Sequence, residues 1–263
     1  MCLALIAINQ HPRYPLIILS NRDEFYQRAT IAAHYWPDYP QLFAGKDLEA
    51  GGTWLGVNRQ GNFALLTNYR NPGVHSDTMK SRGLLVKNYL TANPAAAPSH
   101  YIEQIASMAD QYNPFNLFVG NTQEVIYYSN VAKINSKLTT GLYGISNHLL
   151  ETPWFKVLRA KKAFNRVKND LLHYETPEHI GDLLFPILED RTLAPNHLLP
   201  HTGVPTELEK SLSSIFVYVP YHGYGTRCSN LILFSDKESF FSERIFINGQ
   251  ATTLQTTQIS FLN

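Results

Sequence analysis

The sequence predicts a layered α+β sandwich, on three observations. β-rich runs occupy both ends of the 263-residue chain. Segments with helical spacing occupy its middle. The β-rich runs come mostly in pairs split by turn chemistry, as antiparallel hairpins require. Length alone suggests roughly two domains, but sheet-rich chains of this size commonly close around one core. With no internal repeat or clear linker, residues 1–263 are expected to form a single domain.

The opening pair is CLALIAI at 2–8 and LIILS at 16–20, separated by HPRYP, whose prolines remove ladder donors. A second pair, 53–57 and 63–67, flanks NRQGN and reads as another hairpin. Apolar residues then recur at three- and four-residue intervals over 81–90 and 100–112, as at Ile102, Ile105, Ala106 and Ala109, which predicts amphipathic helices. Residues 116–120 and 124–128 flank an Asn-Thr-Gln turn. Helical runs follow over 154–172 and 178–188, then a loop containing Pro195, Pro200 and Pro205. The last block predicts strands at 214–219, 229–234, 240–248 and 253–261.

Composition excludes several functions. Charged residues make up 16% of the chain, below the ~25% of typical soluble domains, and 15 Tyr with 14 Phe suit extensive sheet. Twenty-two Lys plus Arg nearly cancel 21 Asp plus Glu, a formal charge of +1. No global field therefore draws the protein to nucleic acid or an anionic membrane. No apolar stretch approaches the ~18 residues that integral membrane insertion needs, and MCLALIAINQHPRYP lacks the basic region of a signal peptide. The two cysteines, Cys2 and Cys228, suggest neither a disulfide framework nor a zinc site and fit a reducing, cytoplasmic compartment.

Cys2 directly follows Met1 and opens a predicted strand. If Met1 is removed, one residue supplies both a thiol nucleophile and an α-amine whose reference pKa of ~7.7–8.0 suits proton transfer. The plain alternative is a small buried apolar side chain. Asn21, Arg22, Asp23 and Glu24 end the second strand and would ordinarily be a solvated turn. Pairing of the first two strands, however, brings Arg22 toward Cys2, where a guanidinium favours thiolate. Cys228 follows Arg227, so in a regular strand it faces away from the site around Cys2 and reads as a small core residue. His197 and His201 have helical spacing for a metal, but Pro195 and Pro200 break the helix, so no metal is expected. Gly51-Gly52-Thr53-Trp54 reads as a turn before a packed indole, with a substrate-contacting loop as the sharper alternative. Six cations between Lys156 and Lys168 read as a solvated helix face.

MCLALIAIN followed by SNRDEF resembles the NRDE family, also called the transport and Golgi organization family. GGTWLGVN at 51–58, LTNYR at 66–70, GISNH at 144–148, LPHTGVP at 199–205, LSSIFV at 212–217 and YGTR at 224–227 continue the resemblance along nearly the whole chain. It implies an N-terminal-nucleophile (Ntn) hydrolase-type fold, a four-layer αββα sandwich with two antiparallel sheets, similar to the cysteine-type choloylglycine and penicillin V acylases. By that resemblance Cys2 is the nucleophile, Arg22 its electrostatic partner, Asn147 an oxyanion donor with Asn68 a weaker candidate, and Arg227 a late-strand cation. Those acylases carry an Asp three residues after the strand-end Arg, where this chain has Phe25; its acid, Asp23, follows Arg22 at once. In an extended strand Asp23 joins Arg22 only through a turn or bulge, whereas Glu24 shares its face. The implied function is a cofactor-free cysteine hydrolase that cleaves an amide of a small or lipid-like substrate. The alternative is a non-enzymatic carrier for an apolar ligand, with heme suggested because animal relatives are associated with heme trafficking. The oligomeric state is left open.

Overall fold

A computed structural model of the chain describes residues 2–74, 76–92 and 94–262, with Cys2 described by its backbone. In chain order the strands and helices are β1 (Cys2–Ile8), β2 (Leu16–Phe25), β3 (Thr30–Trp36), β4 (Tyr39–Asp47), β5 (Leu55–Asn58), β6 (Phe63–Asn68), α1 (Gly83–Thr91), α2 (Pro98–Ser107), β7 (Phe115–Gly120), β8 (Val125–Ser129), β9 (Ile134–Leu138), β10 (Gly141–Ile145), α3 (Phe155–Leu171), α4 (Pro177–Leu188), α5 (Thr206–Ser211), β11 (Tyr218–Val219), β12 (Tyr224–Phe234), β13 (Glu238–Ile247) and β14 (Gln250–Ser260). The chain divides into two compact units, one of Met1–Gln27, Thr140–Ser235 and Phe240–Gln258, the other of Arg28–Thr139, Asp236–Ser239 and Ile259–Asn263.

The first unit is built on a sheet of order β10-β1-β2-β12-β13-β14, with β11 paired to β12. Strands from the two ends of the chain meet at its centre, where β2 lies antiparallel to both β1 and β12. Period-two alternation decides what faces the helices. Leu3, Leu5, Ala7, Ile17, Leu19, Leu231 and Leu233 pack with Val157 and Phe164 of α3 and with Ile180 and Leu184 of α4. Each buried leucine, isoleucine, valine or phenylalanine side chain among them contributes ~1.5–3 kcal/mol. The intervening Ala4, Ile6, Ile18 and Ile232 point the other way and are buried as well. Both faces of the central strands are therefore apolar, which is why LIILS reads as a continuous run rather than as alternation.

The turn between β1 and β2 is more than a proline-rich reversal. Asn9 adopts φ 53°, and the buried His11 ties the turn to the end of α3. Its Nδ1 accepts from the backbone N–H groups of Arg13 and Tyr14, each at 3.2 Å. Its Nε2 lies 3.0 Å from the carbonyl oxygens of both Leu171 and Tyr174. With two donors aimed at Nδ1, the ring proton sits on Nε2.

The second unit is a meander of order β3-β4-β5-β6-β7-β8-β9, with α1 and α2 packed on one face around Leu85, Leu90, Ile102, Leu117 and Ile126. GGTW serves packing here. A Cβ at Gly52 would come within 2.5 Å of the Gly83 backbone, and one at Gly45 within 2.4 Å of the Trp54 ring.

Several expectations are corrected. β3, β4, β9, β10 and α5 lie where no element was expected, and the strand expected over 214–219 forms only at Tyr218–Val219. The helix expected over 100–112 stops at Ser107, followed by a 3-10 turn over Ala109–Gln111. The cationic stretch of α3 is not uniformly solvated. Lys156 is buried, Arg159 pairs with Asp190, and Lys161 pairs with Glu151.

The architecture is α+β, two antiparallel sheets with helices, as expected. Among the described residues no helix is long and apolar enough to cross a membrane. Nor does any group of three or more His, Cys, Asp or Glu among them form a metal-holding cluster.

Candidate active site

The site is organised by register. In the first unit Cys2 stands opposite Arg22 across the β1–β2 pair. On the other side of β2, Thr226 stands opposite Asp23 and Cys228 opposite Arg22, with a β-bulge between them. Arg227 is the extra residue of that bulge. One row across three strands therefore carries Cys2, Arg22 and Cys228. The side chain of Cys2 and all of Met1 lie outside the described residues, so the expected processing of Met1 and the approach of Arg22 and Arg227 to the Cys2 sulfur do too.

The bulge overturns the expected facing of Cys228, while its burial agrees with the core reading. A regular β12 would turn Cys228 away from Arg22. The extra residue shifts the alternation by one, so that Cys228 shares the Arg22 face. Cys228 is buried, and Asn230 donates from Nδ2 to its Sγ at 3.5 Å. Burial pushes the thiol pKa well above its ordinary range, the Glu243 carboxylate on β13 pushes it further, and Arg22 and the Asn230 hydrogen bond oppose them. Cys2 and Cys228 flank the same strand, which puts their Cα atoms about 10 Å apart, beyond the ~7 Å limit for a disulfide.

Arg22 is 4% exposed, with Nη2 4.0 Å from Glu24 Oε2. Glu24 thus joins Arg22 on one face. Arg227 donates from Nη1 to the carbonyl oxygens of Phe25 and Tyr26 at 3.0 and 3.1 Å. Its pKa is lowered by burial first and by the neighbouring positive charge of Arg22 second. Two guanidinium groups therefore converge where β2 ends and β1 begins.

Asp23 takes the opposite face. Its neighbour Asn21, on the same side of the strand, donates to the carbonyl oxygens of Leu188 at 2.7 Å and Ile215 at 3.0 Å. Asp23 Oδ1 accepts from the Thr226 hydroxyl at 2.7 Å. Its burial is complete and raises the carboxyl pKa, opposed by the positive charge of Lys156 on α3 and by the Thr226 hydrogen bond. No bulge on β2 brings Asp23 round to Arg22; the bulge lies on β12 instead.

Asn147 is fully buried, two residues beyond β10, whose Ile145 stands opposite Ala4. Cys2 lies two residues before Ala4, so both approach the same end of the β1–β10 pair. Asn147 Oδ1 accepts from the Ser146 hydroxyl at 3.3 Å. Asn68 ends β6 opposite Phe115, in the second unit. The structure thus brings Arg22, Glu24, Arg227 and Cys228 together in the first unit and sets Asp23 on the other face. Glu243 and Asn230 come from strands with no distinguishing motif and were not foreseen in the sequence; Cys228 is the buried core residue expected, but for want of the bulge its face was not.

This architecture defines the chain as a protein of the Ntn-hydrolase fold. The solved structure of a mutant conjugated bile acid hydrolase from Clostridium perfringens matches it with a TM-score of 0.50 at 9% identity, over 98% of this chain and 96% of that one. The chain belongs to the Transport and Golgi organisation 2 family, whose model matches residues 1–248. It is 31% identical to the Transport and Golgi organization protein 2 homolog of Bos taurus, over 99% of both chains. It is 28% identical to the Transport and Golgi organization protein 2 of Drosophila melanogaster, over 89% of this chain and 87% of that one.

Proposed function

We propose that this protein is a cysteine hydrolase that cleaves the amide bond of a small or lipid-like substrate in a reducing, cytoplasmic compartment, with Cys2 as the first residue after removal of Met1. The observation that carries the proposal is the three-strand row, in which the backbone of Cys2 stands opposite a buried arginine that has a second arginine beside it. Such a setting favours thiolate over thiol.

In the proposed reaction the α-amine of Cys2 takes the thiol proton and the sulfur adds to the amide carbonyl carbon. Asn147 supplies N–H donors to the oxygen that becomes negative. Collapse breaks the C–N bond, and the amine product leaves with the proton held by the α-amine. Water, deprotonated by the same amine, then cleaves the thioester, releasing a carboxylic acid and restoring the thiol. Arg22 and Arg227 hold the sulfur anionic, and Glu24 orients Arg22.

Intact-mass analysis after incubation with a panel of N-acyl amides and acylating probes tests this. The expected result is a mass gain of one acyl group on Cys2, absent in Cys2→Ala. An adduct confined to Cys228, or none, overturns the proposal. Reversible heme absorbance without acylation would favour a carrier.

A further inference from the structure

We propose that Asp23 is a positioning residue that acts from the helix face, fixing through Thr226 the bulge that sets Arg227 and Cys228 beside Arg22. It is not an acid or base at the reacting sulfur. The inference rests on the hydrolase reading for its consequence in turnover, but its structural part stands on contacts of this chain alone.

Two side-chain hydrogen bonds bracket the bulge. Before it, the Thr226 hydroxyl donates to Asp23 Oδ1 at 2.7 Å. After it, the Ser229 hydroxyl donates to Asn21 Oδ1 at 2.6 Å. Thr226 is further committed: its Oγ1 accepts from Val217 N–H at 2.9 Å, and its own N–H donates to the Val217 carbonyl at 2.8 Å. With an amide donor already aimed at Oγ1, the hydroxyl proton goes to Asp23. The backbone of Asp23 is held as well, since its carbonyl accepts from Tyr224 O–H at 2.8 Å.

The bulge needs such a lock because the regular ladder is a near competitor. Carried on from the Cys228–Arg22 pair without the extra residue, β12 would set Arg227 opposite Asp23 and Thr226 opposite Glu24. That ladder would turn Arg227 onto the helix face, away from Arg22, at the expense of the Thr226–Asp23 hydrogen bond. Asp23 and Thr226 fix the last regular pair before the bulge, so the extra residue falls at Arg227 and nowhere else. The guanidinium then reaches the carbonyls of Phe25 and Tyr26 at the end of β2.

The test compares Asp23→Ala, which removes the acceptor, with Asp23→Asn, which keeps an Oδ1 for the Thr226 hydroxyl, in the processed full-length chain. One readout is the pH profile of Cys2 alkylation by iodoacetamide, resolved from Cys228 by peptide mass. The other is the nitrophenolate burst from p-nitrophenyl octanoate. Asp23→Ala is expected to move the alkylation profile to higher pH and to slow the burst about 10-fold or more, within the ~10²-fold that a misplaced group can cost. Asp23→Asn is expected to restore both. An asparagine variant as impaired as the alanine one, or a folded alanine variant with unchanged profiles, overturns the proposal. If Asp23→Ala does not fold, Thr226→Ser against Thr226→Val carries the same comparison, with serine expected to behave as the parent. A parent protein that gives no burst and no acyl adduct defeats the hydrolase reading, while the alkylation profiles still decide the role of Asp23.

Discussion

Asn21→Ala should be among the most destabilising single substitutions in the first unit. The Asn21 amide is fully buried and makes three hydrogen bonds, to the carbonyls of Leu188 and Ile215 and from the Ser229 hydroxyl. Leu188 is the last residue of α4, so its carbonyl is one of the four a helix cannot satisfy itself. Each bond contributes ~0.5–1.5 kcal/mol, and a buried group left without a partner adds more. The expected loss is about 4 kcal/mol, a large share of the ~5–15 kcal/mol of a typical domain. At ~2–4 °C per kcal/mol for a chain of this size, thermal unfolding followed by circular dichroism should show Tm falling by about 8–16 °C. Ser229→Ala, which removes one bond of the three, should cost about 1 kcal/mol, and the double substitution should cost less than the sum of the singles because the two share a bond. A loss below ~1 kcal/mol for Asn21→Ala would refute the reasoning.

Cys228 should be inert in the native protein, since burial keeps its thiol protonated; titration with a thiol reagent should show it reacting only after denaturant is added, and prompt native labelling would contradict the packing described. His11→Ala strips partners from two backbone N–H groups and two carbonyls, for an expected loss of about 2–4 kcal/mol; a Tm within ~2 °C of the parent would remove His11 from the account of the turn. Burial raises the folded-state pKa of Asp23, so its stabilising contribution is complete below the unfolded value of ~3.9 and is lost as pH rises through the folded one. Asp23→Asn should therefore gain stability over the parent as pH rises, read as the difference in Tm across a pH series, and a difference independent of pH would show that Asp23 does not titrate as described.

The parts of the fold that were legible in the sequence are those where one physical signal dominates. CLALIAI and LIILS pair in the expected hairpin because both faces of each strand are buried, and α3 and α4 fall within two residues of their expected ends because their apolar spacing is unambiguous. β3 and β4 were illegible because Pro37, Asp38 and Pro40 break the alternation at the turn that joins them. Residues 214–217 look like a strand, yet their backbone groups are taken up irregularly: Ser214 Oγ donates to the Phe216 carbonyl, Asn21 donates to the Ile215 carbonyl, and Phe216 N–H donates to the Asp190 carbonyl. Within the site, the Cys2–Arg22 pairing follows from hairpin geometry. The bulge does not, because the residue that would slip is itself an arginine and nothing local marks it as extra.

The meeting of β2 with β12 also has a consequence for how the protein is made. β2 ends at Phe25 and its partner begins at Tyr224, so at ~5–20 residues per second a nascent chain waits about 10–40 s before that edge can be filled. The strands of the second unit run consecutively from Thr30 to Leu138 and pair neighbour to neighbour, so their sheet can close while the ribosome is still far from the stop codon. Ribosome-bound chains ending near residue 170 should thus resist protease through the meander, while the apolar hairpin that carries Cys2 remains open and most in need of a chaperone.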